Sequence, residues 1–289
     1  MLRILKAAIA ATALLFASGA AAAPAMWRVS DADSQIYLFG TLHALSAGAE
    51  WRTPAYEAAY EEAKVVWFEA DLSGGDPVTV SNIVNRYGVD PDRGLSQKLA
   101  AGDLAALTRE ADIARIDHLR PWAAALMLSM QPAFARGASV ESGADLTMTR
   151  QARVNDKQIR TFETLEDQAR LFADLSETDE LQYLSQVIRE RATPVRISLK
   201  SGGGSLEAQW LAGDLARLGP GLVGEMQRDT PGLYEALLKR RNLNWADALI
   251  REMAGAGVEL VNVGALHMVG DDSLPALMAA RGFKVERVQ

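Results

Sequence analysis

Apolar residues form short strand-like runs at the two ends of the chain and recur at helical spacing through its middle. Met26 to Ser30 and Gln35 to Gly40 read as two strands joined by the polar cluster Asp31-Ala32-Asp33-Ser34. Thr53-Pro54 supplies a cap and a first-turn proline for a helix from Ala55 to Lys64, with Glu57, Glu61 and Glu62 on its wet face. Val65-Val66-Trp67-Phe68 is continuously apolar, the pattern of a strand buried on both faces, and it runs into Glu69-Ala70-Asp71.

The middle predicts helices over Asp76 to Tyr87, Leu95 to Ala101, Asp103 to Glu110, Pro121 to about Phe134, and Gly143 to Val154. A strand follows at Gln158 to Phe162, then helices at Glu166 to Leu175 and Thr178 to Thr193. The glycine-rich Ser201 to Ser205 reads as a turn ahead of a helix from Leu206 to Leu215. Glu225 to Arg241 predicts helix broken near Thr230-Pro231, and a further helix runs from Trp245 to Ala254. The strand Glu259 to Val263, a helix at Ser273 to Ala280 stopped by Gly282, and a strand at Phe283 to Val288 complete the pattern.

The two ends share one order: strand, Gly-x-Leu-His, loop, helix, strand. This predicts an α/β fold with a mixed, mostly parallel sheet built from N- and C-terminal strand–loop–helix–strand units, and a largely helical middle over about 76–215. Ligands of open α/β sheets gather at strand carboxyl ends. His43, in Gly40-Thr41-Leu42-His43, and His267, in Gly264-Ala265-Leu266-His267, both fall there, and so does Glu69.

Residues 1–22 carry Arg3 and Lys6, then an apolar stretch from Ala7 to Ala17, then small residues. This is the pattern of a signal peptide cleaved after Ala22, which leaves one domain over 23–289 in the periplasm or secreted. The apolar core is short for a membrane span, so no membrane association is expected after cleavage. The chain has no cysteine, which excludes disulfides, thiolate ligands and a lipoprotein anchor. Net charge of -7 argues against nucleic-acid binding.

Only three histidines occur, and two of them share one frame. Two imidazoles and a carboxylate at neighbouring strand ends suit a divalent metal that activates water. Without a metal, the same groups suit general acid–base work. Gly40 and Gly264 would shape the loops, by a sharp turn or a close approach. His118 lacks the frame and reads as a helix-end or surface residue. Arg241 offers a forked cation for a substrate or an oxyanion, or for a structural salt bridge to Glu69, with Arg240 as the control.

Several segments resemble the TraB/GumN (TraB/PrgY/Tiki) family, in particular a GumN-like exported bacterial member. They are the two Gly-x-x-His motifs, Trp67-Phe68-Glu69-Ala70-Asp71, Leu119-Arg120-Pro121-Trp122, Thr161 to Gln168, and Arg240-Arg241-Asn242-Leu243-Asn244-Trp245. The resemblance implies an erythromycin-esterase-like and ChaN-like fold and a site of His43, Glu69, Arg241 and His267. His43, Glu69 and His267 would hold Mn²⁺, Co²⁺ or Zn²⁺. It implies a hydrolase, in its narrow form a metallopeptidase acting on a peptide or protein. The alternatives are a non-catalytic peptide- or glycan-binding envelope protein linked to polysaccharide production, and a metal- or haem-binding protein of ChaN type. Glu163 and Glu166 lie in a recurring segment of the family without an assigned role.

Overall fold

A computed structural model describes residues 23–71, 77–192 and 205–289. The expected signal segment 1–22, the helix ends placed at Asp76 and Thr193, and most of the turn at 201–205 lie outside these residues.

Eight strands form. They are β1 (Met26–Ser30), β2 (Ser34–Thr41), β3 (Leu45–Ser46), β4 (Val65–Phe68), β5 (Ala138–Ser139), β6 (Gln158–Thr161), β7 (Gly257–Gly264) and β8 (Lys284–Arg287). Six of them build one sheet in the order β6-β4-β7-β2-β1-β8, while β3 and β5 pair separately. β6, β4, β7 and β2 run parallel, and β1 is antiparallel to both neighbours. The mixed, mostly parallel α/β sheet follows from the pattern of the two ends. β7, from the C-terminal unit, lies between β4 and β2 of the N-terminal unit.

Alternation along the strands serves two cores. Ile36, Leu38, Val65, Trp67, Val261 and Val263 face Trp245, Leu249, Leu274 and Met278 of the C-terminal helices. Phe39, Val66, Phe68 and Leu260 face Tyr56, Tyr60, Met148 and Trp210 on the other side. Helices therefore cover both faces, which is why β4 is apolar at every position. A third core, around Leu107, Leu128, Leu184 and Ile188, belongs to the helical middle.

One difference from the sequence pattern matters for the site. The break near Thr230-Pro231 is present, but no second break precedes Trp245. Helix runs from Pro231–Tyr234 through a π-helical stretch, Glu235–Lys239, into Arg240–Met253. No glycine or proline stands between Gly232 and Gly255 to stop it. Arg241 and Trp245 are thus one turn apart on a single buried face. In the π stretch the Arg240 N–H reaches Glu235 O, five residues back.

The helix Pro54–Glu62 ends on a side chain from another element. Lys157 Nζ donates to Tyr60 O (2.9 Å), Glu61 O (3.0 Å) and Ala63 O (2.7 Å), and lies 5.0 Å from the Tyr60 ring centre. The preceding Asp156 adopts φ +50°, a left-handed turn that Asp tolerates, and it delivers the lysine to these orphan carbonyls. Lys157→Met leaves the carbonyls without their cation. It is expected to lower unfolding free energy by about 1–3 kcal/mol with an unchanged m-value in a urea titration.

Candidate functional site

The parallel pairing of β2 with β7 sets Thr41 opposite Gly264, so both Gly-x-Leu-His frames leave the sheet at the same end, one residue out of step. β4, on the other side of β7, ends beside them and releases Glu69. A Cβ on Gly264 would stand 3.1 Å from Glu69 Oε1 and 3.7 Å from both His43 Nε2 and His267 Cδ2. His43, Glu69 and His267 therefore converge on the bare Cα of Gly264, and Arg241 enters from the helix below. Gly40 has a similar reason for being glycine: its Cβ would lie 3.0 Å from the Ala265 Cα. Both act through close approach, with no left-handed backbone at either position.

Arg241 is buried and every side of its guanidinium is engaged. Nη2 donates to Glu69 Oε2 (2.6 Å) and Glu163 Oε2 (2.8 Å), and Nε donates to Glu163 Oε1 (2.8 Å). Nη1 donates to Leu237 O (2.9 Å) and to His267 Nε2 (3.0 Å). Its flat face lies 4.4 Å from the Trp245 ring centre. The salt bridge to Glu69 is present, and Glu163, which the sequence left without a role, supplies the bidentate partner. Glu166 points elsewhere, accepting from Tyr87 and facing Arg86. Arg240 is exposed, as its position one residue along the helix predicts.

His267 sits in the 3₁₀ turn Ala265–Met268 and is buried. Asn242 fixes its tautomer. The Asn242 amide donates to Asp272 O (2.7 Å), so its oxygen faces His267 Nδ1 at 2.6 Å. Nδ1 thus carries the proton, and the Nε2 lone pair accepts from Arg241. Burial, then the charge of Arg241, lowers the His267 pKa from 6.5 to about 3. The ring is neutral at physiological pH. It ends an aromatic row in which Trp67–Phe162, Phe162–Trp245 and Trp245–His267 centroids are 4.7, 4.9 and 4.5 Å apart.

Glu69 is held by three groups: Arg241, the Gly264 N–H (2.7 Å to Oε1) and the Gln168 amide (3.1 Å to Oε2). Burial alone would push its carboxyl up, but Arg241 and the charge of His43, helped by the Gly264 N–H, hold it well below the usual carboxylate range.

His43 is different. Its side chain is 54% exposed, and Nδ1 meets Asp145 Oδ2 at 2.8 Å. Asp145 is buried, and its other oxygen accepts from the Thr41 hydroxyl. The helix Ala144–Val154 docks its first turn on this loop, with Ala144 N donating to Leu42 O (3.0 Å). Gly143 permits the approach, since a Cβ there would lie 2.2 Å from His43 O. The charge of Asp145, against the opposing effect of burial, raises the His43 pKa from 6.5 to about 9. Nε2 opens on a cleft lined by Phe68, Glu69, Ala70, Val140 and Gln168. Asp145 gave no sequence signal of its own, being one acid in an amphipathic helix. His118 is exposed in a turn, away from the site.

His43, Glu69 and His267 do not form the expected ligand set. Among the described residues, no three His, Asp or Glu side chains are placed to hold a metal ion. The physical reason is Arg241: it takes the His267 Nε2 lone pair and one Glu69 oxygen, and it brings a fixed positive charge to where a cation would stand. As arranged, these residues do not fit a divalent metal.

Imidazole resonances of His43 should titrate near pH 9 and those of His267 near pH 3, and Asp145→Asn should return His43 toward 6.5. The linked stability has opposite signs. His43 contributes fully below pH 6.5 and loses its contribution as pH rises through about 9, whereas His267 contributes fully above 6.5 and loses it as pH falls toward 3. Arg241→Met strands two buried carboxylates and should cost about 3–5 kcal/mol in a denaturant titration, while Arg240→Met should change stability by less than about 0.5 kcal/mol.

Comparison with curated proteins and with solved structures found no match. The family model described as TraB/PrgY/gumN matches residues 25–287, which includes both Gly-x-Leu-His frames, Glu69, Asp145, Glu163 and Arg241. The chain belongs to the TraB/PrgY/gumN family.

Proposed function

We propose that this chain is an exported hydrolase that cleaves an acyl bond, with a peptide or protein as substrate, by acid–base chemistry at His43. The observation that carries the reading is an exposed imidazole oriented by a buried carboxylate. Asp145 holds Nδ1, and Nε2 faces the cleft beside Glu69. Of the four family residues, His43 is the one whose reactive atom opens on that cleft. His267 is spent on Arg241, and Arg241 on two carboxylates.

In the neutral form, His43 Nε2 takes a proton from a water lying between it and Glu69. The water oxygen bonds to the substrate carbonyl carbon. The same Nε2–H then protonates the leaving nitrogen or oxygen as its bond to that carbon breaks, and His43 returns to its starting state. Glu69, ionised and fixed, orients the water as an acceptor. Asp145 keeps the ring turned and balances the imidazolium. Arg241, Glu163, Asn242 and His267 hold Glu69 in place. Export rests on the signal-like segment at residues 1–22.

A metallohydrolase is the second reading, and it rests on the family resemblance and on the convergence of His43, Glu69 and His267 around Gly264. It requires Arg241 to withdraw from His267.

With a casein-derived fluorogenic peptide library as probe, His43→Ala should lower kcat by about 10²–10⁴-fold. The activity of the wild-type protein should rise with pH through about 9, as the base form of His43 appears, and Asp145→Asn should shift that rise to lower pH. Chelation should leave the rate unchanged, with no metal found in stoichiometric amount by elemental analysis. A chelator-sensitive rate, with bound metal lost in His43→Ala and His267→Ala, selects the second reading. No hydrolysis of peptides or esters, in a protein that still binds them, selects a binding role.

A further inference from the structure

The cleft that His43 Nε2 faces has a volume of about 160 Å³. Phe68, Ala70 and Val140 give it apolar walls, and Gln168 gives it an amide. A cavity of about 150 Å³ holds one benzene-sized group. The cleft therefore matches a single amino-acid side chain of intermediate size.

Val140 stands apart from the other walls. Phe68 and Ala70 are buried at the end of β4, whereas Val140 is 37% exposed and packs into none of the hydrophobic cores of the described residues. Its position is fixed all the same. The turn after β5 is tied by Ser142 N to Ser139 Oγ (3.2 Å) and by Gly143 N to Val140 O (2.9 Å). A Cβ on Gly143 would strike the carbonyl oxygens of both His43 and Val140. One glycine thus lies against the backbone of both residues, so the apolar wall and the reactive imidazole are carried on one unit. A β-branched side chain is stiff at χ1, and this valine presents a defined apolar surface beside the cleft.

Gln168 faces the same space. One amide N–H donates to Glu69 Oε2, which sets the nitrogen on that side, since a carboxylate accepts and does not donate. The second N–H and the amide oxygen have no partner among the described residues. A donor and an acceptor on one amide complement a peptide group and not a fatty acyl chain. The carboxylates at the cleft offer no countercharge to a basic side chain. Asp145 is engaged by His43 and Thr41, and Glu69 by Arg241, the Gly264 N–H and Gln168.

On the hydrolase reading, we propose that this cleft is the specificity subsite for the residue that carries the scissile carbonyl, that this residue bears an uncharged apolar side chain of valine to phenylalanine size, and that Val140 sets the preference. The side chain lies against Val140, Phe68 and Ala70. Its own carbonyl oxygen accepts from the free Gln168 N–H, beside the water between His43 and Glu69.

The probes are peptides of the form acetyl-Gly-Gly-X-Gly-Gly-amide, with X glycine, leucine, phenylalanine, tryptophan, lysine or glutamate, incubated with the intact protein. The leucine peptide should be cut with kcat/KM at least about tenfold above the glycine peptide, and the lysine and glutamate peptides should not exceed glycine. Val140→Trp fills the cleft and should bring the leucine-to-glycine ratio close to one. Val140→Gly removes the wall and should raise tryptophan relative to leucine, an opposite change that misfolding does not produce. Where no peptide is cut, the same ratio is read as Kd from shifts of the Val140 methyl resonances, or of the Ala70 methyl in the variants. A leucine preference in binding that Val140→Trp removes then keeps the subsite and rejects the hydrolase reading alone. Cleavage with equal kcat/KM for glycine and leucine, or a preference that neither variant changes, overturns the subsite and leaves the hydrolase reading standing. Absence of both cleavage and selective binding overturns the two together.

Discussion

The structure of the site depends on one buried cation. Arg241 is shared among Glu69, Glu163, His267 and a helix carbonyl, and these partners come from four separate parts of the chain. A buried guanidinium is tolerated only when its donors are satisfied and its charge is matched, so each partner is constrained by the others. Two carboxylates against one guanidinium leave a net negative charge in the interior. The Gly264 N–H and the Gln168 amide offset it on the Glu69 side. The cation also sets chemistry at a distance: it keeps Glu69 ionised, keeps His267 neutral, and leaves His43 as the imidazole that responds to pH near neutrality and above.

The two histidines began from one frame and end in opposite states. A shared motif places both at the same end of adjacent parallel strands, but their partners differ. His43 meets a carboxylate at Nδ1 and retains solvent contact, whereas His267 meets an amide oxygen at Nδ1 and a cation at Nε2. Sequence repetition here reports common backbone geometry and not common chemistry. The asymmetry comes from residues outside the frames: Asp145 for one, Asn242 and Arg241 for the other.

The sheet was legible because its strands are short, apolar and bounded by turn residues, and because Gly-x-Leu-His marks two strand ends. The convergence of His43, Glu69 and His267 was also accessible, since each follows a strand. What the sequence could not display is pairing across the fold. Asp145 lies on a helix whose pattern explains it as an ordinary wet-face acid, and only the docking of Gly143 against His43 O brings it to the imidazole. Glu163 looked like the acid that ends a strand. Its role needed Arg241 on an uninterrupted helix, where the pattern suggested a new start at Trp245. The metal-ligand expectation had the same source. Donor types were readable, but the guanidinium among them was placed by a helix register that local periodicity does not fix.

The position of β7 has a consequence for how the chain reaches this state. β7 is translated long after β4 and β2, yet it is the strand that joins them. Without β7 the strand order falls into two parts, β6-β4 and β2-β1-β8, and Glu69 lacks its Gly264 donor. Folding is therefore governed by contacts between distant parts of the sequence, a topology associated with slow folding. A sheet joined by β7 can be completed only after most of the chain has been made. That delay is a hazard in a crowded cytoplasm, but it is an advantage for any polypeptide that must be threaded unfolded through a membrane before it closes.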